Sequence, residues 1–177
     1  MLQIFSKSLS EHVRILLFSS EILAVSLAAY HAGIMLSIYT NTGNELVSSL
    51  WCVISAVVVM ENTWQKSLKS GFERMIGTSM GGLLPLIYLY TIGINSLSFS
   101  LSVITLGLLC CYTELEKNLK ICLLTGAIVY VICQVNHEQP MWMIAIDRVI
   151  ESLMGITVTV FVKFWSGLAH RVLSKYL

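Results

Sequence analysis

Six stretches of the chain are almost wholly apolar, and short polar connectors separate them. They run from Leu16 to Tyr39, Leu46 to Met60, Met75 to Ile92, Leu97 to Tyr112, Leu119 to Val135 and Met141 to Trp165. A helix needs roughly 20 apolar residues to cross a hydrocarbon core of about 30 Å, so polar flanks extend the shorter stretches or some helices are broken. The pattern predicts an all-α membrane protein with six transmembrane helices.

The connectors between these stretches are short and rich in turn residues. They contain Asn41-Thr42-Gly43-Asn44, Gly93 with Asn95, and the segment from Asn136 to Pro140. Such residues favour tight turns, and no Pro-rich or low-complexity linker interrupts the pattern. We therefore predict a single transmembrane domain over residues 1–177.

The basic residues alternate between the connectors. Along a six-helix path, all of them except Arg148 fall on one side of the membrane, namely Lys7, Arg14, Lys66, Lys69, Arg74, Lys117, Lys120, Lys163, Arg171 and Lys175. Cytoplasmic loops hold lysine and arginine in excess, so this side is the cytoplasm. The pattern supports six helices and predicts that the N-terminus and the C-terminus are both cytoplasmic.

Composition agrees with a bilayer as the solvent. Hydrophobic residues make up 56% of the chain and charged residues only 12%, against about 25% charged in soluble domains. The net charge is +1 without a basic block, so nucleic acid is not an expected partner. The five cysteines lie in apolar stretches, and no metal-ligand spacing, phosphate loop or nucleophile elbow occurs, so we expect no metal, no cofactor and no enzyme activity.

Two segments share one pattern of residue types. Glu73 to Gly81 and Asp147 to Gly155 both read acid, Arg, apolar, Ile, any residue, Ser or Thr, any residue, Met, Gly. The segments are 74 positions apart, and so are Asn62 and Asn136. Because three helices separate the copies, the second would enter the membrane from the opposite side. We predict two inverted three-helix repeats, over about 16–92 and about 97–165.

The arginines of this repeat have two possible roles. Arg148 lies seven residues into its stretch, about 10 Å deep, and such a charge must face a cavity, pair with Asp147 or Glu151, or reach back to the headgroups. Both alternatives remain open for Arg148. For Arg74, which follows a polar connector, the headgroup position is favoured.

As a site, the two arginines would bind an anion, because a guanidinium binds a carboxylate through two hydrogen bonds. Arg74, Arg148, Asn62 and Asn136 are the candidate substrate-binding residues. Several acids and one histidine would hold the arginines in place or exchange protons, although charge balance explains the acids equally well: Glu73, Asp147, Glu151, Glu21 and His31. Glu21 and His31 are not close on their helix, and for His31 a buried hydrogen bond is favoured over proton coupling.

Other features have simpler interpretations. Gly77, Gly81, Gly82 and Pro85 predict close helix packing, which a bend in the helix would accompany. The polar segment from Glu61 to Ser70 is read as an ordinary loop, with a re-entrant gate segment as the alternative.

Two segments carry a resemblance to a known family. Ile54 to Thr63 is followed by Ser67 to Thr78, in which Arg74-Met75-Ile76-Gly77-Thr78 stands out, and Asp147 to Gly155 looks like a second arginine-containing helix. Together they resemble the fusaric acid resistance and aromatic acid exporter family. Asn62 stands where that family often has Pro, and we expect no counterpart of the large cytoplasmic domain that many members have.

The resemblance implies a protein of the bacterial inner membrane that is a homodimer and exports aromatic or other small organic acids, with a periplasmic accessory protein as a possible partner. The alternatives are an anion channel of the same fold and a membrane scaffold or accessory subunit that transports nothing.

Overall fold

A computed structural model describes residues 2–40, 45–113, 118–136 and 139–173, with side chains between residues 15 and 168. In these ranges the chain forms six α-helices: α1 Leu2–Thr40, α2 Glu45–Val58, α3 Trp64–Ile92, α4 Ser96–Tyr112, α5 Leu119–Val135 and α6 Met141–Leu173. The predicted turn at 41–44 lies outside the described residues, as do Lys117, Lys175 and the side chains of Lys7, Arg14 and Arg171.

The all-helical prediction is confirmed, because each apolar stretch lies in one helix. Two helical segments, Ile15–Thr40 and Trp64–Ile92, are long and apolar enough to cross a bilayer. The shorter apolar helices α2, α4 and α5 have 14, 17 and 17 residues. Helix α6 is 33 residues long and contains the charged residues Asp147, Arg148, Glu151 and Lys163.

Helix α3 differs from its prediction at the N-terminus. It begins at Trp64 rather than near Met75, so most of the polar segment read as a loop is helical and that interpretation is wrong. Thr63 starts the helix, because its hydroxyl accepts a hydrogen bond from the backbone N–H of Lys66 at 3.4 Å, as an N-cap side chain does. The first turns of α3 are polar but contain no helix breaker before Gly71.

The helices form two compact units. Unit 1 comprises the chain up to Leu68 and from Met154 onward, and unit 2 comprises Lys69–Leu153. Helices α1 and α2 therefore share unit 1 with the C-terminal part of α6. Unit 2 holds α4, α5, most of α3 and the N-terminal part of α6.

In unit 1, buried side chains of α1 and α2 pack with one face of α6. Val25 and Ala29 lie against Cys52 and Ala56, and Met154, Val158 and Val162 pack on this cluster. Along α6, Gly155 contacts Cys52 and Thr159 donates a hydrogen bond to the Ala56 carbonyl at 2.8 Å. Residue numbers thus rise together along both helices, so α2 and α6 run parallel.

In unit 2, the same kind of contact joins α3 and α5. Gly77 lies beside Ile121, Gly81 beside Cys122, and the Pro85 ring lies 3.3 Å from a Cβ placed at Gly126. Helices α3 and α5 therefore run parallel. The C-terminal half of α3 also packs on the start of α6, because Leu86 and Leu89 share a buried cluster with Ile144 and Ala145.

In each unit a glycine makes a very close contact between two helices. A Cβ at Gly81 would overlap the carbonyl oxygen of Cys122 and lie 2.9 Å from Thr125 Cβ. A Cβ at Gly155 would overlap the carbonyl oxygen of Cys52 and lie 2.8 Å from Ser55 Cβ. Gly77 and Gly81 of α3 thus lie close to α5, and Gly155 makes a contact like that of Gly81 in the other unit.

The start of α4 is fixed by a polar network. Asn95 caps α4, with its side chain accepting from the backbone N–H of Ser98 at 2.8 Å. The buried Tyr130 hydroxyl of α5 donates to the Asn95 carbonyl and lies 3.2 Å from Ser98 Oγ. This network links α4 and α5 at one end.

We expect Tyr130→Phe to lower the free energy of unfolding by about 1 kcal/mol, because it removes the hydrogen bond that the buried Tyr130 hydroxyl donates to the Asn95 carbonyl. Thermal unfolding in detergent measures the loss. Tyr112→Phe is the matched control, because Tyr112 is exposed on the same helix pair. Equal stability of the two variants would contradict the role given to Tyr130.

Candidate functional site

Three charged side chains are buried among the described residues of unit 2. Arg74 is 5% exposed, Arg148 is 8% exposed and Glu151 is 1% exposed. Charges within membrane helices are costly and most often mark a functional position. These three residues are therefore the first candidates for a site.

Arg148 and Glu151 form an ion pair with two contacts. Arg148 Nη2 donates to Glu151 Oε1 at 2.9 Å, and Nη1 lies 2.8 Å from Oε2. The residues are one turn apart on α6, which allows the planar guanidinium to face the carboxylate. Of the two roles left open by the sequence, the paired one is correct and the headgroup position is wrong. Glu151 is the acid in this pair, while Asp147 is half-buried.

Arg74 is also buried, so the headgroup position favoured for it is wrong. The reason is the earlier start of α3, which places Arg74 ten residues inside the helix. One turn further on, the Thr78 hydroxyl is buried and has no hydrogen-bond partner among the described atoms. A threonine in a helix commonly donates to the carbonyl four residues earlier, so an unused hydroxyl is notable. Sequence reasoning missed Thr78, although its spacing from Arg74 was visible.

Contacts between α3 and α6 put these residues at one height in unit 2. A Cβ at Gly82 would lie 3.6 Å from Ala145 Cβ. Leu86, further along α3, shares a buried cluster with Ile144, which precedes Ala145 on α6, as is expected for an antiparallel pair. From the contact of Gly82 with Ala145, six residues back along α3 lead to Ile76, and six residues forward along α6 lead to Glu151. At 1.5 Å per residue, Glu151 therefore lies at about the same height as Ile76. Arg74, Thr78, Arg148 and Glu151 then lie within about 8 Å of each other along the axes.

The remaining candidates of the repeat are less buried. Asn62 is exposed after α2, and Glu73 is half-buried. Asn136 ends α5, and its side-chain amide donates to Gln139 Oε1 at 3.4 Å. Within the described ranges, no group of three or more His, Cys, Asp or Glu side chains is placed to hold a metal ion.

Unit 1 contains a second buried ion pair. Lys163 Nζ of α6 lies 2.5 Å from Glu21 Oε2 of α1, with side chains 4% and 24% exposed. Ser166 donates to the other carboxylate oxygen, and the Phe18 ring lies 5.2 Å from the ammonium. Glu21 thus has a defined partner that the sequence analysis did not identify. The only sequence signal was a lysine inside the last apolar stretch.

His31 differs from its expectation. Its side chain is exposed, and Nδ1 bonds the carbonyl of Leu27 at 2.8 Å within the same helix. The predicted buried hydrogen bond is therefore wrong, because the histidine lies on the outer face of α1.

Comparisons with known proteins add a family. Residues 22–162 match the family described as fusaric acid resistance protein-like, which is well over half of the chain. UPF0421 proteins from two strains of Staphylococcus epidermidis are each 30% identical over 81 residues, or 45% of this chain. The match spans a quarter of the length of these curated relatives. No solved structure matches the chain.

Proposed function

We propose that this chain, which belongs to the fusaric acid resistance protein-like family, moves small organic anions across the membrane. Its family and its apolar helices make it a membrane protein with a role related to transport or efflux. The proposal adds a substrate class, organic carboxylates with aromatic acids foremost, and the export direction. It also adds the residues that bind the carboxylate, which are Arg74, Thr78 and Arg148.

The observation that carries the proposal is the pair of buried arginines in unit 2. The side chains of Arg74 and Arg148 are buried in helices whose other buried residues are mostly apolar or small. Guanidinium groups that are shielded from water favour an anion, and the unused Thr78 hydroxyl offers it one more hydrogen bond. A carboxylate fits both kinds of donor.

Helix directions support the proposed topology. Helices α2 and α6 run parallel, and so do α3 and α5, as six alternating crossings require. The matching glycine contacts, Gly81 with Cys122 and Gly155 with Cys52, are what two inverted repeats would produce. We therefore propose six transmembrane helices with both chain ends in the cytoplasm of a bacterial cell.

The test is uptake of radiolabelled benzoate into proteoliposomes that contain the purified protein. We expect Arg74→Gln and Arg148→Gln each to reduce uptake at least about tenfold, because each removes a charged donor that is shielded from water. Lys120→Gln is the matched control, since Lys120 is exposed on α5, and its uptake should equal that of the wild type.

Three other results would change the conclusion. Unchanged uptake in both arginine variants would mean that the arginines only hold the helices together. A benzoate current that shows no saturation would identify an anion channel of the same fold. No benzoate movement in the wild type would overturn the proposal and favour a scaffold or accessory subunit.

A further inference from the structure

We propose that Cys110, Cys122 and Met80 form a binding site for Cu(I). The three residues belong to unit 2, where they lie on α4, α5 and α3. None of them belongs to the proposed anion site, so the proposal does not depend on anion transport. No metal was expected from the sequence, because no ligand spacing joins the two cysteines, which packing brings together from different helices.

The two thiols are in direct contact. Cys110 Sγ donates to Cys122 Sγ at 3.5 Å, and both residues are 0% exposed. Two sulfur ligands of one metal ion, each at a metal–sulfur distance of about 2.3 Å, lie about 4 Å apart. The two sulfurs therefore already have nearly the separation that a shared ion requires.

Met80 supplies a third sulfur. Leu106 and the two cysteines form a buried cluster, and Met80 packs against it together with Leu84, Leu119 and Leu123. Of these packing residues, Met80 carries the metal-binding atom. Its unbranched side chain has three rotatable bonds, so the thioether can turn toward the thiols.

Three sulfur atoms favour a soft ion with a single charge. Thiolate and thioether ligands select Cu(I), whereas a structural zinc ion takes four ligands. In the described ranges no third His, Cys, Asp or Glu side chain joins the two cysteines. Binding displaces the proton of at least one thiol to water, and the resulting thiolate neutralises the charge of Cu(I). A neutral complex suits this apolar cluster.

The cysteines lie near the ends of their helices. Cys110 is two residues before the end of α4 at Tyr112, and Cys122 is three residues after the start of α5 at Leu119. At 1.5 Å per residue, both are within about 5 Å of a helix end. In the topology proposed above these ends face the cytoplasm, where thiols stay reduced. Cu(I) could thus reach the sulfurs without crossing the apolar layer.

The test is anaerobic titration of the purified protein in detergent with Cu(I), in competition with the chelator bicinchoninate and with ascorbate present. We expect the wild type to bind one equivalent. Cys110→Ser and Cys122→Ser should each weaken binding at least about a hundredfold, because a lost ligand costs more than the 10–100-fold that a lost neighbour of a ligand costs. Met80→Leu keeps the apolar volume and removes the sulfur, and it should weaken binding at least about tenfold.

Two matched variants remove a thiol from the same helices. Cys111→Ser changes the exposed neighbour of Cys110, and Cys133→Ser changes another buried cysteine of α5. Both should bind Cu(I) as the wild type does. Thermal unfolding gives a second readout, because a ligand that binds the folded state stabilises it. One equivalent of Cu(I) should raise the unfolding midpoint by at least about 3 °C in the wild type and leave it unchanged in Cys122→Ser.

Three results would contradict the proposal. Wild-type protein that removes no Cu(I) from the chelator would overturn it, whether or not the variants fold. Undiminished binding in folded Cys110→Ser and Cys122→Ser, or an equal loss in Cys133→Ser, would locate the metal elsewhere and also overturn it. Unchanged affinity in Met80→Leu would overturn the three-sulfur site.

Discussion

Gly155→Ala is expected to lower the free energy of unfolding by about 3 kcal/mol, at the upper end of the cost of overpacking. A methyl group at this position would overlap the carbonyl oxygen of Cys52 and crowd Ser55 and Ala56. Two of these contacts are with backbone atoms, which cannot rotate away as a side chain can. Helix α6 would have to move off α2, and unit 1 would lose the close packing between these helices.

Thermal unfolding of the purified protein in detergent measures this loss. Gly167→Ala is the control, because it adds the same methyl group to the same helix at a position with no neighbour within 4 Å. Gly81→Ala should reproduce the loss in unit 2, where Cys122 takes the place of Cys52. A Gly155→Ala protein as stable as Gly167→Ala would show that the α2 and α6 backbones lie further apart than described.

Glu21→Gln is expected to lower the free energy of unfolding by about 3 kcal/mol, as loss of one partner of a buried ion pair does. The reason is the ammonium group of Lys163, whose side chain is 4% exposed and would lose its charged partner. Lys163→Met should cost less, because Glu21 is 24% exposed and water can reach its carboxylate.

The double variant Glu21→Gln with Lys163→Met should recover most of the stability, since both charges of this pair are then removed. Thermal unfolding of the two single variants and the double variant gives the coupling energy. Glu61→Gln and Lys66→Met are the surface controls, because both residues are exposed and should change stability by less than about 0.5 kcal/mol. Additive single effects would rule out the pair.

Hydrophobic patterning was enough to predict the helices, because each apolar stretch between polar connectors lies in one helix. It failed at the start of α3, where Trp64 to Glu73 is polar and amphipathic. A rule that reads polarity as loop cannot detect such a helix; the N-cap Thr63 was the available signal. The composition of the units could not be predicted, because it depends on which helices approach closely and not on any single helix.

The site was partly readable from the sequence. The repeat identified Arg74, Arg148 and Glu151, and spacing alone allowed the pair that Arg148 and Glu151 form. Lys163 was treated only as a positive charge that orients the chain. Its partner Glu21 lies 142 positions away, and no local pattern can link residues at that distance.

The composition of unit 1 also sets an order for biogenesis. The ribosome makes α1 and α2 before α6, yet Gly155 and Thr159 of α6 fill the contact with Cys52 and Ala56. Until α6 has been made, Lys163 cannot pair with Glu21, and this face of α2 lacks the cover that α6 gives it. While the helices between α2 and α6 are inserted, the carboxylate of Glu21 and the face of α2 that packs on α6 therefore lack their final contacts.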